Sequence, residues 1–170
     1  MKTKSFVIIA TLVLSLFLLD CTNNETTESH EKISAIVLSI EKTALHRWNN
    51  GDPFGFIDSY ADDISYFSPG HNNRIDSIGA MNNLLAPIKG KIYIEKTQMI
   101  NPRVQISGQT AILTYVLINY IKNESGRDTS YWHSTSVYKE IKGEWKVIHS
   151  HWSHPNKKGT TQDTDNILDI

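Results

Sequence analysis

Apolar residues recur at three- and four-residue spacing through Ile33, Ile36, Val37, Ile40, Ala44 and Trp48, the pattern of one amphipathic helix over residues 31–50 with a single buried stripe. Gly51 stops it. Asp52-Pro53 then starts a second short helix through Phe54, Phe56, Ile57 and Tyr60, since a first-turn proline loses no helical hydrogen bond. Ile64 to Phe67 reads as a brief strand ended by Ser68-Pro69-Gly70, and a third helix is expected from about Ile75 to Leu85, closed by Pro87 and Gly90. The pattern then changes. Residues 91–100, 103–107, 110–121, 130–140 and 144–153 are rich in Ile, Val, Thr, Tyr and Trp, bounded by Asn101-Pro102, Ser107-Gly108, Ser125-Gly126 and Lys142-Gly143. Helices first and consecutive strands afterwards predict an α+β domain, three N-terminal helices packed on one face of an antiparallel sheet.

The stretch 110–121 sharpens this. Ala111, Leu113, Tyr115 and Leu117 point one way and Ile112, Val116, Ile118 and Tyr120 the other, so both faces call for a cover. The helices supply one. A second copy of the chain is the simplest supplier of the other, and a homodimer is expected.

The ends of the chain follow different rules. Lys2 and Lys4 precede an uncharged run from Phe6 to Leu19. As a helix its fourteen residues would span about 21 Å, short of a bilayer core of about 30 Å. A basic start and an apolar run of this length read as a secretory signal peptide over residues 1–20. Cys21, the only cysteine, follows directly in Leu18-Leu19-Asp20-Cys21, which resembles a bacterial lipoprotein signal whose cysteine is lipidated and becomes the mature N-terminus. Export to the bacterial cell envelope with a lipid on Cys21 is expected. Residues 21–30 are polar and read as a flexible tether, 31–154 as the folded domain, and 155–170 as a largely disordered tail until a final Ile167-Leu168.

Composition narrows the function. The chain has 170 residues, 17 basic and 18 acidic side chains and a net charge of −1, which fits one domain and argues against a nucleic-acid partner. A single cysteine excludes an internal disulfide and any cysteine cluster for zinc or iron–sulfur within one chain. No cofactor is expected.

The sharpest chemical cluster is at the last strand. With a period of two, Trp145, Val147, His149, His151 and Ser153 share one face, and Lys146, Ile148, Ser150 and Trp152 the other. His149 and His151 then stand about 7 Å apart, and His133 on the preceding strand can join them. Imidazoles so placed suit general acid–base work, ligand contact, or a packed role in core or interface. A metal would need the rings to converge around an open position, and none is expected. Trp48, Tyr66, Phe67, Tyr115 and Trp132 are candidate linings for a flat apolar ligand, with His133 beside them.

Several segments resemble the nuclear transport factor two-like superfamily, a cone of curved antiparallel sheet around helices. They are Trp48-Asn49-Asn50-Gly51-Asp52, Tyr60-Ala61-Asp62-Asp63-Ile64-Ser65-Tyr66, Thr135-Ser136-Val137-Tyr138 and Gly143-Glu144-Trp145-Lys146-Val147-Ile148-His149-Ser150-His151-Trp152-Ser153. Their order and spacing cover about Glu31 to Ser153, nearest to the SnoaL-like domains and the calcium/calmodulin-dependent kinase association domain. The resemblance implies that Asp63 lies near the cone mouth, in reach of orienting a histidine. Paired acids such as Asp62-Asp63 also commonly end a helix or start a turn, and that structural role is preferred. It also allows a test for steroid isomerisation. Counting seven back from Gly51 places Ala44 where that branch carries its tyrosine, and five on from Asp63 places Ser68 where it carries its catalytic aspartate. The proton-abstracting carboxylate and the oxyanion-donating phenol are both missing, so that activity is rejected.

Two readings remain. One is a non-catalytic, envelope-anchored dimer whose pocket binds a small apolar ligand or a protein partner. The other is a SnoaL-like enzyme of isomerase, cyclase, dehydratase or hydrolase type, with His149 or His151 as base and Asp63 orienting it. The first is preferred. What separates them is whether the histidines converge on an open pocket, and the sequence pattern leaves open which sheet face lines it.

Overall fold

The computed structural model of the chain describes residues 27, 29–124, 126–155 and 167–170. The expected signal peptide, Cys21 and most of the tether lie outside these residues. Two compact units are distinguished, Met1–Ala35 and Ile36–Ile170. In the first, residues 29–35 are helical, so helix replaces tether from residue 29; the site belongs entirely to the second.

Helix α1 covers residues 29–49. Gly51 ends it with φ +81°, and a Cβ there would come within 3.1 Å of the Tyr93 ring. Only glycine meets both conditions without strain. Helix α2, Phe54–Ser59, follows at once, and Asp52 Oδ1 accepts a 3.1 Å hydrogen bond from Phe54 N. Arg47 ties the two helices, pairing with Asp52 at 2.7 Å and with Asp58. Helix α3, Ile78–Leu85, starts at Ser77, whose Oγ accepts from Ala80 N.

The strands are β1 Tyr60–Phe67, β2 Ile75–Asp76, β3 Lys96–Ser107, β4 Thr110–Asn123, β5 Gly126–Ile141, β6 Glu144–Ser153 and β7 Ile167–Asp169. They form one open seven-stranded sheet in the order β2-β1-β6-β5-β4-β3-β7. All pairs are antiparallel except β1 with β6, which run parallel. The expected strands 91–100 and 103–107 become one bulged strand that begins only at Lys96, residues 91–95 being turn and irregular chain. Its register shifts between Ile100 and Arg103, where Asn101 takes φ 48°. A further shift falls between Val137 and Tyr138 against β6. Such bulges bend and twist the strands that carry them, which curves the sheet.

Leu113, Tyr115 and Leu117 of β4 are buried with Met99, Tyr138, Val147 and Trp152 on the helix-covered face. The opposite face is open only in part: Ile112 and Tyr131 are each 38% exposed and Phe67 is 39% exposed, whereas Ile118 and Ile100 on the same face are buried. The expected helical stripe needs correction. Val37, Ala44 and Leu45 are buried with Glu41 among them, while Ile36 is 37% exposed. The helix carries two apolar stripes, and the one that includes a carboxylate is the one that packs.

The C-terminal segment is also corrected. Ile167, Leu168 and Asp169 pair with Ile100, Met99 and Gln98, and Asp169 accepts a 2.9 Å hydrogen bond from the Gln98 amide. An edge strand leaves a row of unmet N–H and C=O groups, and this short segment meets part of it.

Candidate functional site

The helices and the inner sheet face form a half-open cavity of about 170 Å³. Its walls are set by an aromatic chain: Trp48 on α1 meets Phe56 on α2 at 5.7 Å and 75°, Phe56 meets Trp152 on β6 at 6.2 Å and 85°, and Trp152 meets Trp132 on β5 at 6.3 Å and 78°. Ring quadrupoles favour these edge-to-face contacts. Leu45, Met81, Leu85 and Leu117 complete the apolar lining. The polar groups are Tyr60, Tyr66, Ser68 and Asn119; among the described residues, no acid, base or histidine lines the cavity.

Burial pushes the Tyr60 and Tyr66 phenols up, opposed at Tyr60 by the Ser150 hydroxyl and at Tyr66 by Ser68. Both therefore remain protonated. Glu41 does not line the cavity, although its charge acts on the lining Tyr60, and it is fully enclosed. Tyr115 Oη donates to its Oε1 at 2.6 Å, and Tyr138 donates to Oε2. Burial raises the Glu41 pKa above the usual carboxylate range, and the two tyrosine hydrogen bonds pull it back. Tyr115 and Tyr138 are held well above the ordinary phenol value, first by burial and then by the neighbouring carboxylate.

The candidate histidines lie elsewhere. The shift in register opposite Val137 and Tyr138 breaks the period of two in β6, so Val147 turns inward and no longer shares a face with His149. His149 pairs with Ser65 of β1 and His151 with Phe67, on the face where Phe67 is exposed. The Phe67 ring stands 6.0 Å from that of His149 and 5.8 Å from that of His151. His149 Nδ1 lies 2.8 Å from Ser65 Oγ. Its pKa is lowered, first by burial and then by His151 and Arg74. Asp63 is exposed, and Ser65 rather than Asp63 meets the imidazole, because Ser65 is the β1 residue paired directly with His149 while Asp63 falls where the β1–β6 register shifts. His133 is exposed and pairs with Ser153. Among the described residues, no three His, Cys, Asp or Glu side chains group as a metal requires.

Of the expected ligand contacts, Trp48, Tyr66 and Trp132 line the cavity. Tyr115 does not: its hydroxyl is held by Glu41 and its ring meets Trp152 at 5.9 Å. His133 does not either. Phe56, Ser68, Asn119 and Trp152 line it without having been expected there. Glu41 also escaped notice, although its spacing of four from Val37 and from Leu45 placed it on the packed stripe.

The family described as the calcium/calmodulin dependent protein kinase II association domain matches residues 34–156. Among solved structures, a candidate ketosteroid isomerase from Parabacteroides distasonis is 27% identical, with a TM-score of 0.63 over 71% of this chain and 86% of that one. The association domain of the C. elegans kinase is 22% identical, with a TM-score of 0.65 over 74% and 98% of the two chains. A nuclear transport factor two-like protein from Pseudomonas putida KT2440 is 22% identical, with a TM-score of 0.64 over 80% and 93%. No curated protein matches. The fold is that of the nuclear transport factor two-like superfamily.

Proposed function

We propose that this chain, which belongs to the calcium/calmodulin dependent protein kinase II association domain family, is a self-associating domain anchored in the bacterial envelope through Cys21, whose aromatic cavity binds a small apolar ligand without transforming it. One observation carries the ligand reading: a cavity of about 170 Å³ is walled by rings and aliphatic chains and lined by no charged side chain or histidine. An apolar cavity of about 150 Å³ is large enough to take up benzene.

Acid–base catalysis needs a group that exchanges protons near neutrality within reach of the substrate. Here the titratable lining groups are phenols that burial keeps protonated, and the imidazoles are on the other sheet face. Ser68 lines the cavity where an isomerase would carry its carboxylate, and Ala44 is buried at the tyrosine position. Both support binding over turnover, despite the candidate activity of the Parabacteroides relative. Self-association is supported by the exposed Ile112, Tyr131 and Phe67 and by the family's association domains.

The test is an NMR titration with benzene and toluene, following the indole N–H signals of Trp48, Trp132 and Trp152. Saturable shifts are expected. Unmoved indoles at ligand saturation in water would overturn the ligand reading.

A further inference from the structure

The cavity's polar corner contains a directional arrangement. Asn119 lines the cavity, and behind it Thr97, which is fully buried, is hydrogen-bonded to two carboxamides. The Thr97 Oγ1 stands 2.8 Å from Asn119 Oδ1 and 3.1 Å from the Asn49 side-chain oxygen position. A threonine hydroxyl has one hydrogen and can donate to only one of them. The distances choose: about 2.8 Å is the usual O–H···O separation, whereas N–H···O bonds are longer. Thr97 therefore donates to Asn119, and the Asn49 amide is turned to donate its N–H to Thr97. Carboxamide orientation follows from such a network, since oxygen and nitrogen differ little in position.

The chain of donors thus runs Asn49 to Thr97 to Asn119 Oδ1. Its consequence falls on the other end of the Asn119 amide. With the oxygen taken from behind, the group Asn119 offers to the cavity is its amide nitrogen, a donor. The remaining polar lining consists of Tyr60, Tyr66 and Ser68, where Ser150 stands beside Tyr60 and Ser68 beside Tyr66. No charged side chain lines the cavity, so an ionic ligand would enter unpaired at a cost of several kcal/mol.

We propose that the cavity selects a neutral, single-ring ligand that carries a hydrogen-bond acceptor such as a carbonyl, and that the Asn119 amide nitrogen recognises it. This rests on the ligand-binding reading and adds to it a chemical class and a residue. Asn119 is the specificity-determining residue, because a ligand of the same shape without an acceptor leaves a buried donor unmet.

Acetophenone and α-methylstyrene test this directly, being near-identical in shape with a carbonyl oxygen in one and a methylene in the other. Calorimetric titration of the purified protein is expected to give a dissociation constant at least tenfold lower for acetophenone. In a ¹⁵N-correlated spectrum, the Asn119 side-chain amide should shift with acetophenone and stay put with α-methylstyrene. The tenfold preference should fall to less than threefold in Asn119→Leu. Equal affinity for the two ligands overturns the inference and leaves the cavity reading standing. A preference that survives in a folded Asn119→Leu overturns the role of Asn119. Binding of neither ligand overturns the cavity reading and the inference together. If Asn119→Leu does not fold, the wild-type affinities and the Asn119 amide signal still decide.

Discussion

The Tyr115 hydroxyl, on β4, donates a 2.6 Å hydrogen bond to Glu41 Oε1, on α1. With Tyr138 of β5 on the other oxygen, one carboxyl joins the first helix to the two central strands. A buried carboxyl is costly unless its oxygens are met, and here both are.

This relationship predicts a pH dependence of stability. Burial raises the Glu41 pKa in the folded state, so the folded protein holds this proton more tightly than the unfolded chain. The associated stability is fully present at and below the usual carboxylate range and is lost as pH rises through the raised folded value. Glu41→Gln keeps a partner for both tyrosines and removes the titration. Urea unfolding between pH 4 and 8 should show a flatter profile for Glu41→Gln than for wild type, with fold retained. Glu41→Ala, which strands both hydroxyls, should lose about 2–5 kcal/mol. A Glu41→Gln profile as steep as the wild type's would count against this account.

His149 has the opposite linkage. Its folded pKa is lowered by burial, His151 and Arg74, so the unfolded chain binds this proton more readily. Stability is intact above the ordinary histidine range and falls as pH drops through it toward the lowered value. His149→Gln, which can still meet Ser65 Oγ, should reduce the loss of thermal stability between pH 7.5 and 5.5. An unchanged loss would place the acid sensitivity elsewhere.

The open sheet face gives a prediction on assembly. Replacing the exposed Ile112 and Tyr131 with lysine and glutamate should abolish self-association, with the melting temperature of the folded unit little changed, because neither side chain belongs to the buried core. Light scattering of wild type and variant checks it. A wild-type monomer would remove the need for a partner on this face.

Deletion of Ile167–Ile170 should uncover the edge of β3. The backbone pairing of Gln98 to Ile100 and the Ile170 N–H bond to the Thr97 carbonyl are lost with it. A cost of about 1–3 kcal/mol is expected, with faster amide exchange along β3 and more aggregation from the freed edge. Hydrogen exchange with and without the segment is the measurement, and identical β3 protection would contradict it.

Replacing Cys21 with serine should move the protein from the membrane pellet to the soluble fraction, if the expected lipid is the anchor. Unchanged fractionation would reject lipidation as the means of attachment.

The helices and the β4 and β6 strands were legible because their signals are local: apolar spacing, Gly51 and Pro53 for α1 and α2, Lys142-Gly143 for the last turn. The bulges were not. A strand that carries a bulge changes which residues face inward, and period-two counting through Val147 to His149 carried the parity across the extra residue Ile148, a break it had no means of sensing. That one slip decides whether the imidazoles meet the cavity. Trp48, Tyr66 and Trp132 were identifiable because large aromatic residues in a small domain must be packed, and Ser68 was marked only by its offset from Asp63, whereas Asn119 looked like an ordinary polar position.

Local chemistry in the chain therefore determined the α+β order, the turn between α1 and α2, the two-sided apolar character of β4 and the family likeness. It did not determine the start of α3, where the expected helical residues Ile75 and Asp76 pair as β2. Tertiary structure alone decided that Glu41 sits in the core, that the histidines face away from the cavity, that Asn119 faces into it, and that the C-terminal Ile167–Asp169 becomes an edge strand. Each of these depends on groups far apart in sequence. A buried carboxyl is tolerated only where Tyr115 and Tyr138 arrive to meet it, and a strand's inward face is set by the partner across the bulge rather than by its own alternation.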